Sequence, residues 1–223
     1  MRGVVLAAAL AAAAPAVAQE APPPEAAAAA APAETPDAAP TEAPAVAPTV
    51  DVATRVEADG TTTMTHSLTI AAPPAAVWAA IATPEGWQGW AAPVARWVEG
   101  ETGILETSYN PDEAPGGPGA IWQQFIAAIP GRLLVFRTIK APDGFPHWDE
   151  YKKVTSFFEL TPEGEAGSTG TRLTLTSTGY SDSEGGRALV KFFAGGNAMT
   201  LEMLRKHLAA EAPAEAAAEA PGE

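Results

Sequence analysis

Residues 189–208 read LVKFFAGGNAMTLEMLRKHL. At about 100° per residue, Leu189, Val190, Phe192, Phe193, Met199, Leu201, Met203, Leu204 and Leu208 gather on one broad face, with Lys191, Glu202, Arg205 and Lys206 opposite. The spacing predicts a long amphipathic helix over residues 186–210. Two adjacent glycines interrupt it, each about 1 kcal/mol worse than alanine in a helix interior. They are not equivalent. Gly195 points to the solvent side, whereas Gly196 leaves a gap in the apolar face beside Asn197, Thr200 and His207. Three readings stand open. Gly196 lets the backbone press on a neighbouring element, with Asn197 and Thr200 bonded to local carbonyls; or it opens a pocket whose ligand the polar pair orients; or the glycines divide the helix in two.

Before this helix the apolar period shortens to two. Residues 52–56 and 61–70 are β-branched and alternating, with Ala58-Asp59-Gly60 as a hairpin turn between them. Pro73-Pro74 closes the second strand, since proline cannot continue a ladder. Residues 75–82 predict a short helix with Val77, Trp78 and Ile81 on one face. Thr83-Pro84-Glu85 starts another, with threonine as N-cap, proline at the first helical position and glutamate in the first turn. Strands follow at 94–99, 103–109, 121–129, 132–139, 152–160 and 171–178, separated by glycine- and proline-rich turns. The order is α+β with one antiparallel sheet.

The segments IAAPPAAVWAAIATPEGWQGW (70–90), TRLTLTSTGY (171–180) and FFAGGNAMTLEMLRKHL (192–208) resemble, in order and layout, the START-like or SRPBCC superfamily. Its helix-grip fold is that of the birch-pollen allergen. Thr83-Pro84-Glu85-Gly86 followed by Trp90 resembles the branch of homologues of the activator of the heat-shock protein ATPase. The resemblance spans residues 61–209. It implies a curved antiparallel sheet wrapped around the C-terminal helix, two short helices after the first core strand, and a cavity between sheet and helix.

Alternation selects the facing wall. Phe158 with Leu160, Leu173 with Leu175, and Leu134 with Phe136 are the inward pairs. In 121–126, Ile121, Gln123 and Phe125 compete with Trp122, Gln124 and Ile126, and the register stays open. Trp87 and Trp90, three apart, share a helix face at a pocket mouth. The candidate ligand contacts are therefore Trp87, Trp90, Trp122, Phe136, Phe158, Leu175, Phe193, Gly196, Asn197 and Thr200.

Composition bounds the rest. Residues 1–18 have the anatomy of a secretory signal peptide: Arg2, an apolar core, Pro15, and Ala16-Val17-Ala18 before Gln19. They predict export to a bacterial periplasm or secretion. Residues 19–50, with thirteen alanines, eight prolines and five acids but no base, predict a disordered linker. Residues 211–223 predict an acidic tail of the same kind. The domain is then 51–210, where 18 acids face 12 bases. No basic patch is present to meet phosphates, so no nucleic-acid partner is expected. The absence of cysteine removes disulfides and thiolate metal sites. His66, His147 and His207 are not spaced as a metal pair, and neither a cofactor nor a membrane span is expected.

The expected partner is a hydrophobic or amphipathic small molecule held in the cavity. The alternative is an enzyme of the cyclase or hydrolase type in the same cavity, with His207, Glu106, Tyr109 and Tyr180 as the groups to examine. A further alternative is a chaperone-associated or protein-interaction module, against which an exported location argues. Nothing in the sequence fixes the oligomeric state.

Overall fold

Asp59 makes the first turn. Its carboxylate accepts from the Thr61 amide at 2.9 Å and the Thr61 hydroxyl at 2.7 Å, while Gly60 takes a positive φ of 85°. This closes the hairpin of β1, Asp51–Val56, and β2, Thr62–Ile70. The computed structural model describes residues 50–164 and 170–218, with side chains to residue 210. The leader at 1–18, the linker to residue 49 and the last five residues of the tail lie outside the described residues.

After β2 come α1, Pro74–Ala82, and α2, Pro84–Trp90. Thr83 ends α1 and caps α2, its Oγ1 accepting from Gly86 N at 3.0 Å. The strands follow as β3 Val94–Trp97, β4 Ile104–Ser108, β5 Ile121–Ile129, β6 Leu133–Lys140, β7 Thr155–Glu163 and β8 Gly170–Tyr180. A single turn, α3 Trp148–Tyr151, precedes β7, and α4, Glu184–Ala218, ends the description. All eight strands form one antiparallel sheet in the order β1-β2-β8-β7-β6-β5-β4-β3. This is the curved sheet with a long C-terminal helix that the helix-grip reading requires.

Bulges bend the sheet. Ile126 on β5 and Ile139 on β6 are extra residues in their ladder, and a register shift near Gly179, at φ 96°, lies just before Tyr180. Extra residues of this kind increase local twist and re-aim side chains.

Two apolar clusters fill the concave side. In the first, Leu201, Leu204 and Leu208 of α4 meet Leu68, Ile70, Leu134, Phe158, Leu160, Leu173 and Leu175 of the sheet and Val77 and Ile81 of α1. The second joins Met64, Val154, Tyr180 and Leu189, with Tyr151 and Phe193 against them. Val50, expected as the last linker residue, packs in the first cluster.

Several expectations change. Met199 and Met203, assigned by the helical wheel to the apolar face, are 50% and 36% exposed. The buried stripe of α4 is narrower than the wheel, which gives angle but not depth. The strand expected from 152 starts at Thr155, because residues 148–151 coil into α3 behind His147, at φ 56°. Gly195 faces open space, as expected.

Candidate functional site

The site begins at the joint between α1 and α2. Trp87 and Trp90 donate their indole N–H groups to Ile81 O at 2.8 Å and Ala80 O at 3.0 Å, satisfying carbonyls left open at the end of α1. The bonds hold the two rings together, centroids 5.2 Å apart. Opposite them, Phe136 of β6 stacks on Phe158 of β7 at 5.3 Å. Between these walls and α4 lies a cavity of about 160 Å³.

Nine of the ten sequence-selected residues line this cavity: Trp87, Trp90, Phe136, Phe158, Leu175, Phe193, Gly196, Asn197 and Thr200. The open register of β5 resolves toward Ile121 and Gln123, which line it too. Trp122 is the exception and a correction. It is cross-strand partner to Glu106, which in turn pairs with Arg96, and its indole donates to Glu106 Oε2 at 2.6 Å. That face lies away from the cavity.

The glycine question also resolves. Thr200 Oγ1 donates to Gly196 O at 2.9 Å, the local bond of the packing reading. Gly196 and Asn197 nevertheless form part of the cavity wall, and the helix runs through both glycines unbroken.

Sequence reasoning missed Tyr151 and the chain's aromatic hydroxyl pattern. All three tyrosines, Tyr109, Tyr151 and Tyr180, line the cavity. Burial pushes each phenol above its ordinary pKa; Tyr151 adds to the shift of Tyr109 and Tyr180, while hydrogen bonds from Thr138 and Ser177 oppose it at Tyr151 and Tyr180 respectively. They are thus neutral O–H groups at pH 7. Thr138 Oγ1 donates to Tyr151 Oη at 3.3 Å, and Ser156 and Ser177 share a hydroxyl bond at 2.8 Å. No Asp, Glu, Lys, Arg or His lines the cavity among the described residues. The wall can exclude water, pack rings and donate hydrogen bonds to oxygen.

Of the other groups considered for catalysis, Glu106 lies outside the cavity. Burial pulls its carboxyl upward, but donors from Arg96, Gly116 N and Trp122 outweigh that and hold it below the usual range. With Glu113, buried beside Ser108 and bonded to Gly119 N at 3.2 Å, it ties down the loop between β4 and β5. His207 lies against Gly89 of α2 and not in the cavity wall. No group of three or more His, Cys, Asp or Glu side chains is arranged for a metal among the described residues. No described helix is long and apolar enough to cross a membrane.

Residues 61–209 match the family described as polyketide cyclase / dehydrase and lipid transport. Similar solved structures include a protein from Arthrobacter aurescens, 21% identical, covering 72% of this chain and 92% of that one at a TM-score of 0.54. CalU16 from Micromonospora echinospora is 20% identical over 71% of this chain and 85% of its own, at 0.48. The Aha1 dimer from Colwellia psychrerythraea is 14% identical over 66% and 95%, at 0.47. At these identities the likeness is one of fold. No curated protein matches the sequence. With the family match spanning sheet, cavity and α4 together, the chain belongs to the polyketide cyclase / dehydrase and lipid transport family, within the START-like helix-grip superfamily.

Proposed function

We propose that the protein binds a hydrophobic or amphipathic small molecule in the cavity between the sheet and α4, and that it does so as an exported protein. The observation that carries the reading is the cavity itself, unfilled by the side chains of the described residues and walled by aromatic rings. A domain without disulfides, dependent on its core, keeps such a space for an occupant. In scale, a cavity of about 150 Å³ is known to hold a benzene ring. Export is supported by the leader-like sequence of residues 1–18.

Native mass spectrometry of the full chain purified from its own host is the test. The expected result is a population carrying an additional small mass that denaturation releases. Protein of apo mass alone, which also fails to take up any ring-sized hydrophobic compound on titration, overturns the proposal.

A further inference from the structure

The cavity lies between two core clusters of different character. On one side are Trp87, Trp90, Phe136 and Phe158, packed against the first cluster. On the other are Tyr151 and Tyr180, which belong with the second. Tyr109 lines the same cavity as Tyr151. One end of the cavity is therefore walled by rings alone, and at the other the tyrosine hydroxyls stand among Phe145 and Phe193.

The hydroxyl end has hydrogen-bonding capacity to spare: unused donors, and beside them one acceptor, the buried Gln123 Oε1, without a partner among the described residues. Tyr151 Oη already accepts from Thr138 at 3.3 Å, so its own proton remains to be donated. The Tyr109 hydroxyl has no hydrogen-bond partner among the described residues. Both groups stay protonated at neutral pH, because burial disfavours the phenolate. Two O–H donors left uncommitted in a half-buried site call for an acceptor. Equally, among the described residues no cationic side chain lines the cavity to pair with a carboxylate or phosphate, and no acidic one to pair with an amine. A charged ligand there would exchange its hydration for a few neutral donors and no counter-charge.

Building on the proposed binding function, we infer that the ligand is an uncharged, ring-sized molecule with an oxygen acceptor, a ketone, ester or ether, at one pole, and that Tyr109 and Tyr151 hold that oxygen. The apolar remainder lies against Trp87, Trp90, Phe136 and Phe158. Carboxylates of the same shape, fatty acids included, are excluded by the absence of a counter-charge and not by size.

Three probes with one ring each separate the components: acetophenone carries a neutral acceptor, ethylbenzene carries none, and benzoate is charged. Calorimetric titration of the full chain at pH 7 should show acetophenone binding about fivefold or more tightly than ethylbenzene, the increment of one neutral hydrogen bond. Benzoate should bind at least roughly 100-fold more weakly than acetophenone. Tyr151→Phe and Tyr109→Phe should each reduce the advantage of acetophenone over ethylbenzene, and the double variant should abolish it. Tyr109→Phe provides a second variant if Tyr151→Phe does not keep the wild-type unfolding temperature. Benzoate binding as tightly as acetophenone overturns the inference while leaving the binding function intact. So does a ketone advantage undiminished in both single variants. If none of the three probes binds to a chain that carries a releasable mass, this inference is overturned; if the chain has apo mass alone as well, the binding function falls with it.

Discussion

His66 shows what a single buried side chain asks of its surroundings. It is fully buried on β2, with Nε2 3.1 Å from Ala194 O of α4 and Nδ1 without a partner among the described residues. A carbonyl only accepts, so Nε2 carries the proton and Nδ1 is a bare acceptor in the core. Protonating Nδ1 would bury a charge. Burial holds the pKa below its ordinary value, and the carbonyls of Ala194 and Phe193 offset this only in part. The unfolded chain therefore takes up a proton near pH 6.5 while the folded chain does not, so stability is complete above that pH and is lost as pH falls from it toward the folded pKa. Denaturant unfolding between pH 7 and 5 should show a stability decline approaching, at its steepest, about 1.4 kcal/mol per pH unit. His66→Gln, which keeps a donor for Ala194 O, should flatten the decline. An equal decline in the variant would place the acid sensitivity elsewhere. The residue's type was plain in the sequence. Its consequence was not, because the carbonyl it meets lies 128 residues away.

At the scale of elements, turn chemistry and strand alternation carried most of the information. The Thr83 cap, the Asp59-Gly60 turn and the inward faces of β7 and β8 all follow from local residues. Where two elements compete for one side chain, local pattern fails. Trp122 alternates as plausibly inward as outward. The buried carboxylate of Glu106, sixteen residues earlier, draws its N–H to the outer face. Tyr151 escaped notice because α3 is only one turn, and one turn leaves no periodicity to read. The α1–α2 joint gives a sharp prediction. A Cβ at Gly86 would stand 2.2 Å from Ala79 O and 2.6 Å from the Ala80 Cα, backbone that cannot swing aside. Alanine gains roughly 1 kcal/mol of helix propensity, yet overpacking of this kind costs about 1–3 kcal/mol and shifts the carbonyls that hold Trp87 and Trp90. Gly86→Ala should therefore lower stability by on the order of 1 kcal/mol net and separate the two indoles. Unchanged stability and an unchanged near-ultraviolet spectrum of the tryptophans would refute the close-approach argument.

Across the whole molecule, the fold was legible because every level agreed: strand order, the two short helices and the amphipathic end of the chain form one helix grip. The cavity's wall was nearly as legible, since an inward-facing aromatic on a concave sheet has few places to go. Its polarity was not, because it depends on where residues distant in sequence meet: Tyr109 after β4, Tyr151 in α3 and Tyr180 after the bulge of β8. A domain of this kind can hold a rigid core on both sides of a space it does not fill. Gly196 is the lining position on α4 that carries no side chain. The most direct measurement is ligand uptake by Gly196→Leu beside the wild type, by native mass spectrometry and by acetophenone titration, with thermal unfolding of both. The account predicts that the variant keeps the fold, unfolding within a few degrees of the wild type, and loses the bound mass and at least about tenfold in affinity. A variant that folds normally and takes up ligand as the wild type does would contradict it.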